Sequence, residues 1–169
     1  WSSNILPTTA DVPSPRPRSF VPRVRPEMVA SMDDVRGIVD GAPGIVVDAR
    51  APERYWGEVE PLDPVAGHIP GAYNLPWMDN VDENGYFKPA AELEQRFAQL
   101  KTDTEPVVLH CGSGVSACVN LLAMEHVGLR GAKLYVGSWS EWCSVPGNPI
   151  AVGDEKTERP GGPRDGRGC

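Results

Sequence analysis

The sequence predicts an α/β fold, in which a mostly parallel sheet carries helices on both faces. Two short apolar runs, at 44–48 and 107–110, have the composition of strands that are buried on both sides. Other segments place apolar residues at helical spacing, for example Leu93, Phe97 and Leu100. Strands that alternate with helices along a chain favour a parallel sheet.

The individual elements follow from local signals. The first helix is expected at 28–40, with Ser31 as its N-cap and with Asp33 and Asp34 suited to its first turn. The strand at 71–75 is a weaker candidate because Pro76 follows it. In chain order, the sequence predicts a helix at 28–40, strands at 44–48 and 71–75, a helix at 90–101, a strand at 107–110, a helix at 115–127 and a strand at 132–136.

Composition and charge exclude several classes of protein. The chain has 169 residues, 40% of them hydrophobic, and a formal net charge of −7, which argues against nucleic acid or an anionic membrane as a partner. No apolar run approaches the roughly 20 residues of a membrane span, and the first residues do not resemble a signal peptide. The four cysteines show neither a CxxC pair nor zinc spacing, so we expect free thiols, no metal and a reducing, cytoplasmic setting.

The two ends of the chain differ from its middle. Residues 1–26 are rich in proline and read as a linker that cannot form a core alone. Residues 153–169 are charged and rich in glycine and proline, which predicts disorder. The folded domain is therefore expected at 27–152.

A candidate reactive cysteine comes directly after the strand at 107–110, in the stretch VVLHCGSGVSAC. Gly112 and Gly114 allow backbone conformations closed to other residues, so that successive N–H groups can turn toward one point. The helix that begins near Val115 adds its positive end. Together these features would lower the pKa of the Cys111 thiol and activate it as a nucleophile. The alternative is that Cys111 is merely a small buried hydrophobic residue.

A cysteine phosphatase is the main mechanistic alternative for such a loop. That chemistry requires an arginine six positions after the cysteine, where it clamps the phosphoryl group. The corresponding residue here is Ala117, and the loop is short for wrapping a phosphate. Phosphoryl transfer is therefore the weaker hypothesis.

Four motifs in register resemble the rhodanese superfamily: VVDARAPERYWGE, GHIPGAYNLPW, CGSGVSAC and GSWSEW. More narrowly, they resemble the C-terminal catalytic domain of two-domain thiosulfate and 3-mercaptopyruvate sulfurtransferases. The resemblance implies a rhodanese-like α/β domain with a central sheet of about five strands. It also implies that 1–26 is an interdomain linker, and that an N-terminal rhodanese-like domain is missing from this chain.

The resemblance implies a sulfurtransferase with a covalent intermediate and no required cofactor. Cys111 would take sulfur from a small-molecule donor as a persulfide and pass it to cyanide or to a thiol, such as one of thioredoxin type. The loop residues that would cradle the persulfide and bind the donor are Gly112, Ser113, Gly114, Val115 and Ser116. A non-catalytic rhodanese-like module that binds or regulates a partner is the alternative, although inactive members usually lack the cysteine.

The choice of donor is implied by two further likenesses. The thiosulfate type commonly carries basic residues after the cysteine, whereas Gly112 and Ser113 are uncharged, so 3-mercaptopyruvate is favoured over thiosulfate. Arg54 matches a family arginine that binds the carboxylate of the donor; a surface salt bridge with Glu53 or Glu58 is its alternative role. Where the animal enzymes carry a second arginine, this chain has Asp63, an acid that would repel an anionic donor.

Several other residues allow a structural or a functional interpretation. For His68, the adjacent turn favours a structural role. His110 should point away from Cys111, because side chains alternate along a strand. Asp48 and Arg50 lie at a strand end, where an ion pair between them and contact with the donor are both open. Trp139 and Trp142 are expected to pack the last loop against the body of the domain, and Cys118 is expected in the core.

Overall fold

The computed structural model describes residues 4, 6–101 and 104–153. Its strands are β1 (Val29–Ala30), β2 (Ile45–Asp48), β3 (Tyr73–Asn74), β4 (Val107–His110) and β5 (Lys133–Tyr135). Its helices are α1 (Met32–Val39), α2 (Pro52–Tyr55), α3 (Ala90–Arg96), α4 (Ala117–His126) and α5 (Ser138–Ser144), with short 3₁₀ turns at Pro26–Met28, Trp77–Asn80 and Ala98–Leu100.

The five strands form one parallel sheet in the order β1-β5-β4-β2-β3. The predicted α/β class with a central sheet of about five strands is therefore confirmed. β2 and β4 are paired along their full length, from Ile45 with Val107 to Asp48 with His110. Because all strands run the same way, their carboxyl ends meet at one edge of the sheet, where ligands of open α/β sheets bind.

The sheet separates two apolar cores. On one face, Val47 and Leu109 pack with α3 and α4 through Leu93, Phe97 and Ala123. On the other face, a second cluster contains Val46 and Val108 of the sheet together with side chains of α1 and α5, namely Val35, Trp139 and Trp142. Each central strand is buried at every position, which explains why both read as continuous apolar runs.

The predicted elements differ from the structure mainly at their ends. Ser31 is the N-cap of α1 as expected, in a capping box with Asp34. The predicted helix at 28–40 nevertheless begins too early, because β1 precedes the cap and pairs with β5. The helix predicted at 90–101 ends at Arg96 and continues as a 3₁₀ turn. The sequence did not predict α2 or α5.

The described part of the proline-rich N-terminal segment contributes little to this architecture. Residues 6–25 form no helix or strand and are exposed along their length. The tail predicted to be disordered lies, from residue 154 onward, outside the described residues. Within the described ranges, none of the helices combines the length and the hydropathy needed to cross a membrane.

Candidate active site

Cys111 lies directly after β4 and is almost completely buried, with 2% of its surface exposed. The chain then turns through residues 112–116 and enters α4 at Ala117. Gly114 has a φ of +79°, and a Cβ atom added there would lie 2.7 Å from the carbonyl oxygen of Val136. Both the backbone conformation and the close approach therefore require glycine at this position.

Gly112 does not fit the expectation that both glycines adopt a conformation closed to other residues. Its φ is not positive, and a Cβ atom there would be in ordinary contact, 3.5 Å from Nη1 of Arg54. What Gly112 provides is space, because the lack of a side chain leaves the guanidinium of Arg54 open to the loop.

The groups around the Cys111 sulfur favour a thiolate. Burial alone would raise the pKa of the thiol, but hydrogen bonds from the hydroxyl of Ser116 and from the backbone amides of Ala117, Ser113 and Ser116 outweigh it. The pKa of Cys111 is therefore held below its usual value. The cause is a set of N–H and O–H groups that converge on the sulfur, with no cation among them.

The loop residues differ in exposure. Ser113 and Val115 are exposed, whereas Gly112 and Ser116 are half-buried and Gly114 is buried. The side chains of the exposed pair therefore form the rim of the loop, and its backbone forms the lining. Ala117, at the position where a phosphatase would need arginine, is fully buried in the core.

The start of α5 holds the main chain of Cys111 in place. The Cys111 amide donates to Oγ of Ser138 at 3.2 Å, and its carbonyl accepts from the amide of Trp139 at 3.0 Å. The carbonyl of Gly112 accepts from both the amide and the hydroxyl of Ser140, at 3.0 and 2.8 Å. Ser138 adopts a left-handed φ of 55°, which is rare for a serine. The sequence reasoning missed this support.

The end of β2 carries a buried ion pair. Nη2 of Arg50 lies 2.6 Å from the Asp48 carboxylate and 2.7 Å from the carbonyl oxygen of Gly67, which accepts a hydrogen bond from it. The guanidinium also stacks 4.7 Å above the ring of Trp139. Of the two open interpretations for Asp48 and Arg50, the structure shows the mutual ion pair, which braces the strand end.

Asp48 and His110 are paired in the sheet, and their side chains approach to 3.8 Å. Burial would raise the pKa of Asp48, but the charge and hydrogen bonds of Arg50 hold it below its usual value. Burial lowers the pKa of His110, so that its imidazole is neutral at pH 7 and Arg50 carries the compensating charge. Along β4, His110 shares the face of Val108, opposite the face on which Cys111 packs.

Arg54 lies on α2 next to the loop. Its Nη2 donates to Glu60 at 2.5 Å and approaches Asp63 at 3.4 Å, and Nε donates to Glu60 at 3.3 Å. The alternative role predicted for Arg54 was a salt bridge with Glu53 or Glu58. Arg54 does form salt bridges, but its partners are Glu60 and Asp63. The acids come instead from the turn after α2, which places the carboxylates beside the same guanidinium that faces Gly112.

The remaining candidates have structural surroundings. His68 is buried, donates from Nδ1 to the carbonyl of Tyr55 at 2.7 Å and stacks on the Tyr55 ring. Trp139 and Trp142 are fully buried, in α5 rather than in a loop. Cys118 was expected in the core, but it is exposed, because the buried face of α4 runs through Ala117, Asn120 and Ala123 and position 118 points to solvent.

Comparisons with known proteins identify the same family. Residues 31–145 match the model of the rhodanese-like domain. The "Probable 3-mercaptopyruvate sulfurtransferase" of Pseudomonas aeruginosa is 50% identical over 117 residues, which are 68% of this chain and 41% of that protein. The human 3-mercaptopyruvate sulfurtransferase is 34% identical over 162 residues, 93% of this chain and 54% of that protein. This chain thus spans about half, or less, of the length of these relatives.

Solved structures share the architecture. The Tum1 protein of Saccharomyces cerevisiae has a TM-score of 0.66 and 28% identity, covering 76% of this chain and 48% of that one. Wild-type EanB has a TM-score of 0.71 at 22% identity, covering 82% of this chain and 36% of that one. At this identity, the likeness to EanB concerns the fold alone.

Proposed function

The chain belongs to the rhodanese-like domain family, and on that premise we propose that it is a sulfurtransferase domain that carries sulfur as a persulfide on Cys111. The observation that supports the proposal most directly is the set of donors directed at the Cys111 sulfur: the Ser116 hydroxyl and three backbone amides. They stabilise a thiolate before the reaction, and the same N–H and O–H groups line the loop in which an anionic persulfide would lie after it.

The proposed cycle has two steps. The Cys111 thiolate attacks the sulfur of 3-mercaptopyruvate, a new S–S bond forms, and the C–S bond breaks. The electron pair of that bond passes to carbon as the enolate of pyruvate, which takes up a proton. An acceptor thiolate or cyanide then attacks the outer sulfur of the persulfide, and the Cys111 thiolate leaves. With thiosulfate as donor, the leaving group of the first step is sulfite.

Arg54 is proposed to bind the carboxylate of the donor. The hydrogen bonds that the structure describes for its guanidinium start from Nε and Nη2. Nη1 faces Gly112 and retains its donor capacity on the side of the loop. A carboxylate held there lies next to the cysteine, as a bound mercaptopyruvate requires. The uncharged loop favours this monoanion over dianionic thiosulfate.

The surroundings of the domain are proposed from the family. Residues 1–26 are an interdomain linker and residues 27–152 the catalytic domain. An N-terminal rhodanese-like domain accompanies this one in the whole protein, the physiological acceptor is a thiol of thioredoxin type, and the location is cytoplasmic.

Intact mass spectrometry after incubation with 3-mercaptopyruvate, and separately with thiosulfate, tests the proposal. The wild-type chain is expected to gain the mass of one sulfur atom, and Cys111→Ser to gain none. Cys118→Ser is the matched control, because it removes an exposed thiol from the helix that follows the loop and should leave the gain intact. An equal gain in wild type and Cys111→Ser would contradict the assignment of Cys111.

A further inference from the structure

Glu60 and Asp63 pair with Arg54, the cation whose Nη1 lies beside Gly112 in the Cys111 loop. Both carboxylates are largely buried, with 3% and 9% of their side chains exposed, compared with 18% for Arg54. Paired charges at this depth are only weakly screened by solvent ions. An incoming anion therefore meets a guanidinium that already has two partners.

Glu60 is part of the framework. It bridges Arg50 and Arg54, and its carboxylate also accepts from the amides of Leu62 and Asp63. Burial would raise the pKa of Glu60, but these bonds from Arg54 and the amides hold it below its usual value, so the carboxylate is charged. Removal of Glu60 would disturb the turn and both arginines together.

Asp63 is held less firmly. In the part of the chain that the structure describes, its side chain accepts one hydrogen bond, from Arg54 Nη2 at 3.4 Å, which is a long contact for a charged pair. The turn that carries Asp63 is itself tied to the site, because the carbonyl of Val65 accepts from Nε1 of Trp139. The Asp63 carboxylate is therefore kept beside Arg54 without being needed to hold Arg54 in place.

The charges at the end of β2 do not cancel. Asp48, Glu60 and Asp63 carry three negative charges, and Arg50 and Arg54 carry two positive ones, which leaves a net charge of −1. The Cys111 thiolate adds a further negative charge. Repulsion of an incoming anion grows in proportion to its own charge.

We propose that Asp63 sets the charge preference of the site, disfavouring dianionic sulfur donors such as thiosulfate relative to monoanionic ones such as 3-mercaptopyruvate. This role as a specificity-determining residue rests on the proposed sulfurtransferase function. Glu60 fixes Arg54, and Asp63 reduces the positive field that Arg54 offers to the donor. A donor with two negative charges is repelled about twice as strongly as a donor with one.

Steady-state kinetics of Asp63→Asn with both donors tests the proposal. The substitution keeps the shape of the side chain and removes its charge. We expect kcat/KM to rise about threefold for 3-mercaptopyruvate and about tenfold for thiosulfate. The electrostatic energy is proportional to the charge of the donor, so a donor with twice the charge gains the square of the rate factor. The change should lie in KM. An unchanged ratio between the two donors would overturn the proposal.

Glu125→Gln is the matched control for charge. Glu125 is exposed near the last turn of α4, and Cys111 precedes the first turn of that helix. At 1.5 Å per residue, the two ends of α4 lie roughly 15 Å apart, so the control removes one negative charge well beyond a Debye length from the site. The donor ratio of Glu125→Gln should equal that of wild type. If it changes as much as in Asp63→Asn, the effect arises from net charge and the proposal fails.

Alkylation of Cys111 separates this inference from the proposed function, since it requires no sulfur transfer. Iodoacetate is anionic and iodoacetamide is neutral, so the ratio of their rates reports the local charge. Asp63→Asn should raise the iodoacetate-to-iodoacetamide ratio about threefold and leave the iodoacetamide rate close to that of wild type, which also shows that the site is folded. A raised ratio without turnover of either donor contradicts the sulfurtransferase activity alone. An unchanged ratio contradicts the role of Asp63.

Discussion

β2 and β4 lie side by side at the centre of the sheet and end at the same edge, but the segments that come after them differ. After β4, an uncharged loop directs amides and a hydroxyl at the Cys111 sulfur. After β2, Asp48 and Arg50 form an ion pair that Glu60 extends to Arg54. The first arrangement stabilises the thiolate with uncharged N–H and O–H groups, whereas the second pairs full charges with one another and leaves one negative charge in excess.

The groups at the two strand ends are therefore expected to affect different properties of the domain. Charges at the end of β2 are buried and paired, so their main effect is on the free energy of folding. Dipoles at the end of β4 converge on one atom, so their main effect is on the reactivity of that atom. Substitutions at the two ends should therefore separate stability from thiol reactivity.

Of the three substitutions, Arg50→Met should have the largest effect, and it should lower the free energy of unfolding. It leaves the Asp48 carboxylate buried without its guanidinium, which typically costs about 3–5 kcal/mol. Urea unfolding at pH 7 would measure the loss as a lower midpoint. In native buffer, the iodoacetamide rate of Cys111 should stay within about threefold of wild type. A loss below about 1 kcal/mol would contradict the importance of the pair for folding.

Gly114→Ala should lower both the stability of the domain and the reactivity of the Cys111 thiol. A residue with a side chain at this φ pays about 1–2 kcal/mol, and its Cβ would also collide with the Val136 carbonyl. We expect the loop to shift and the alkylation rate of Cys111 at pH 7 to fall about tenfold. Gly128→Ala is the control, because Gly128 has the same φ of +80° but open space around it. If both variants slow alkylation equally, the close approach to Val136 does not matter.

Ser116→Ala should have the smallest effect, and only on reactivity. Loss of the hydroxyl that donates to the sulfur raises the thiol pKa. Since the thiolate is the reactive form, the alkylation rate falls as pH falls through that pKa, and the whole profile should move to higher pH. Below the pKa the rate should drop about fivefold, equivalent to a hydrogen bond of about 1 kcal/mol. Ser113→Ala should leave the profile in place, because Ser113 contributes its amide and not its hydroxyl.

The sequence predicted the centre of the fold better than its edges. β2 and β4 were predictable because strands that are buried on both faces have continuous apolar sequences. Ser31 was predictable as the N-cap of α1 because capping depends on residues close by in the chain. β1 has two residues and exists through its pairing with β5, about a hundred positions later. Such a strand has no periodicity of its own to detect.

In the candidate site, too, some features were predictable from the local sequence and others were not. The position of Cys111 between a strand and a helix follows from residues next to it in the chain. The support from Ser138 and Ser140, and the pairing of Arg54 with Glu60, depend on turns whose path the sequence pattern does not specify. Cys118 was misplaced because an apolar run on a short helix does not reveal which side faces the sheet.

The hydrogen bonds between α5 and the main chain of Cys111 have a consequence for when this site can form during folding. The amide and the carbonyl of Cys111 are both fixed by residues that follow it by almost thirty positions. While the chain is being synthesised, the cysteine emerges before those residues exist. The main chain of Cys111 therefore gains these two hydrogen bonds only when α5 docks against it. The lowered pKa of this thiol is therefore a property of the folded domain and not of the newly made chain.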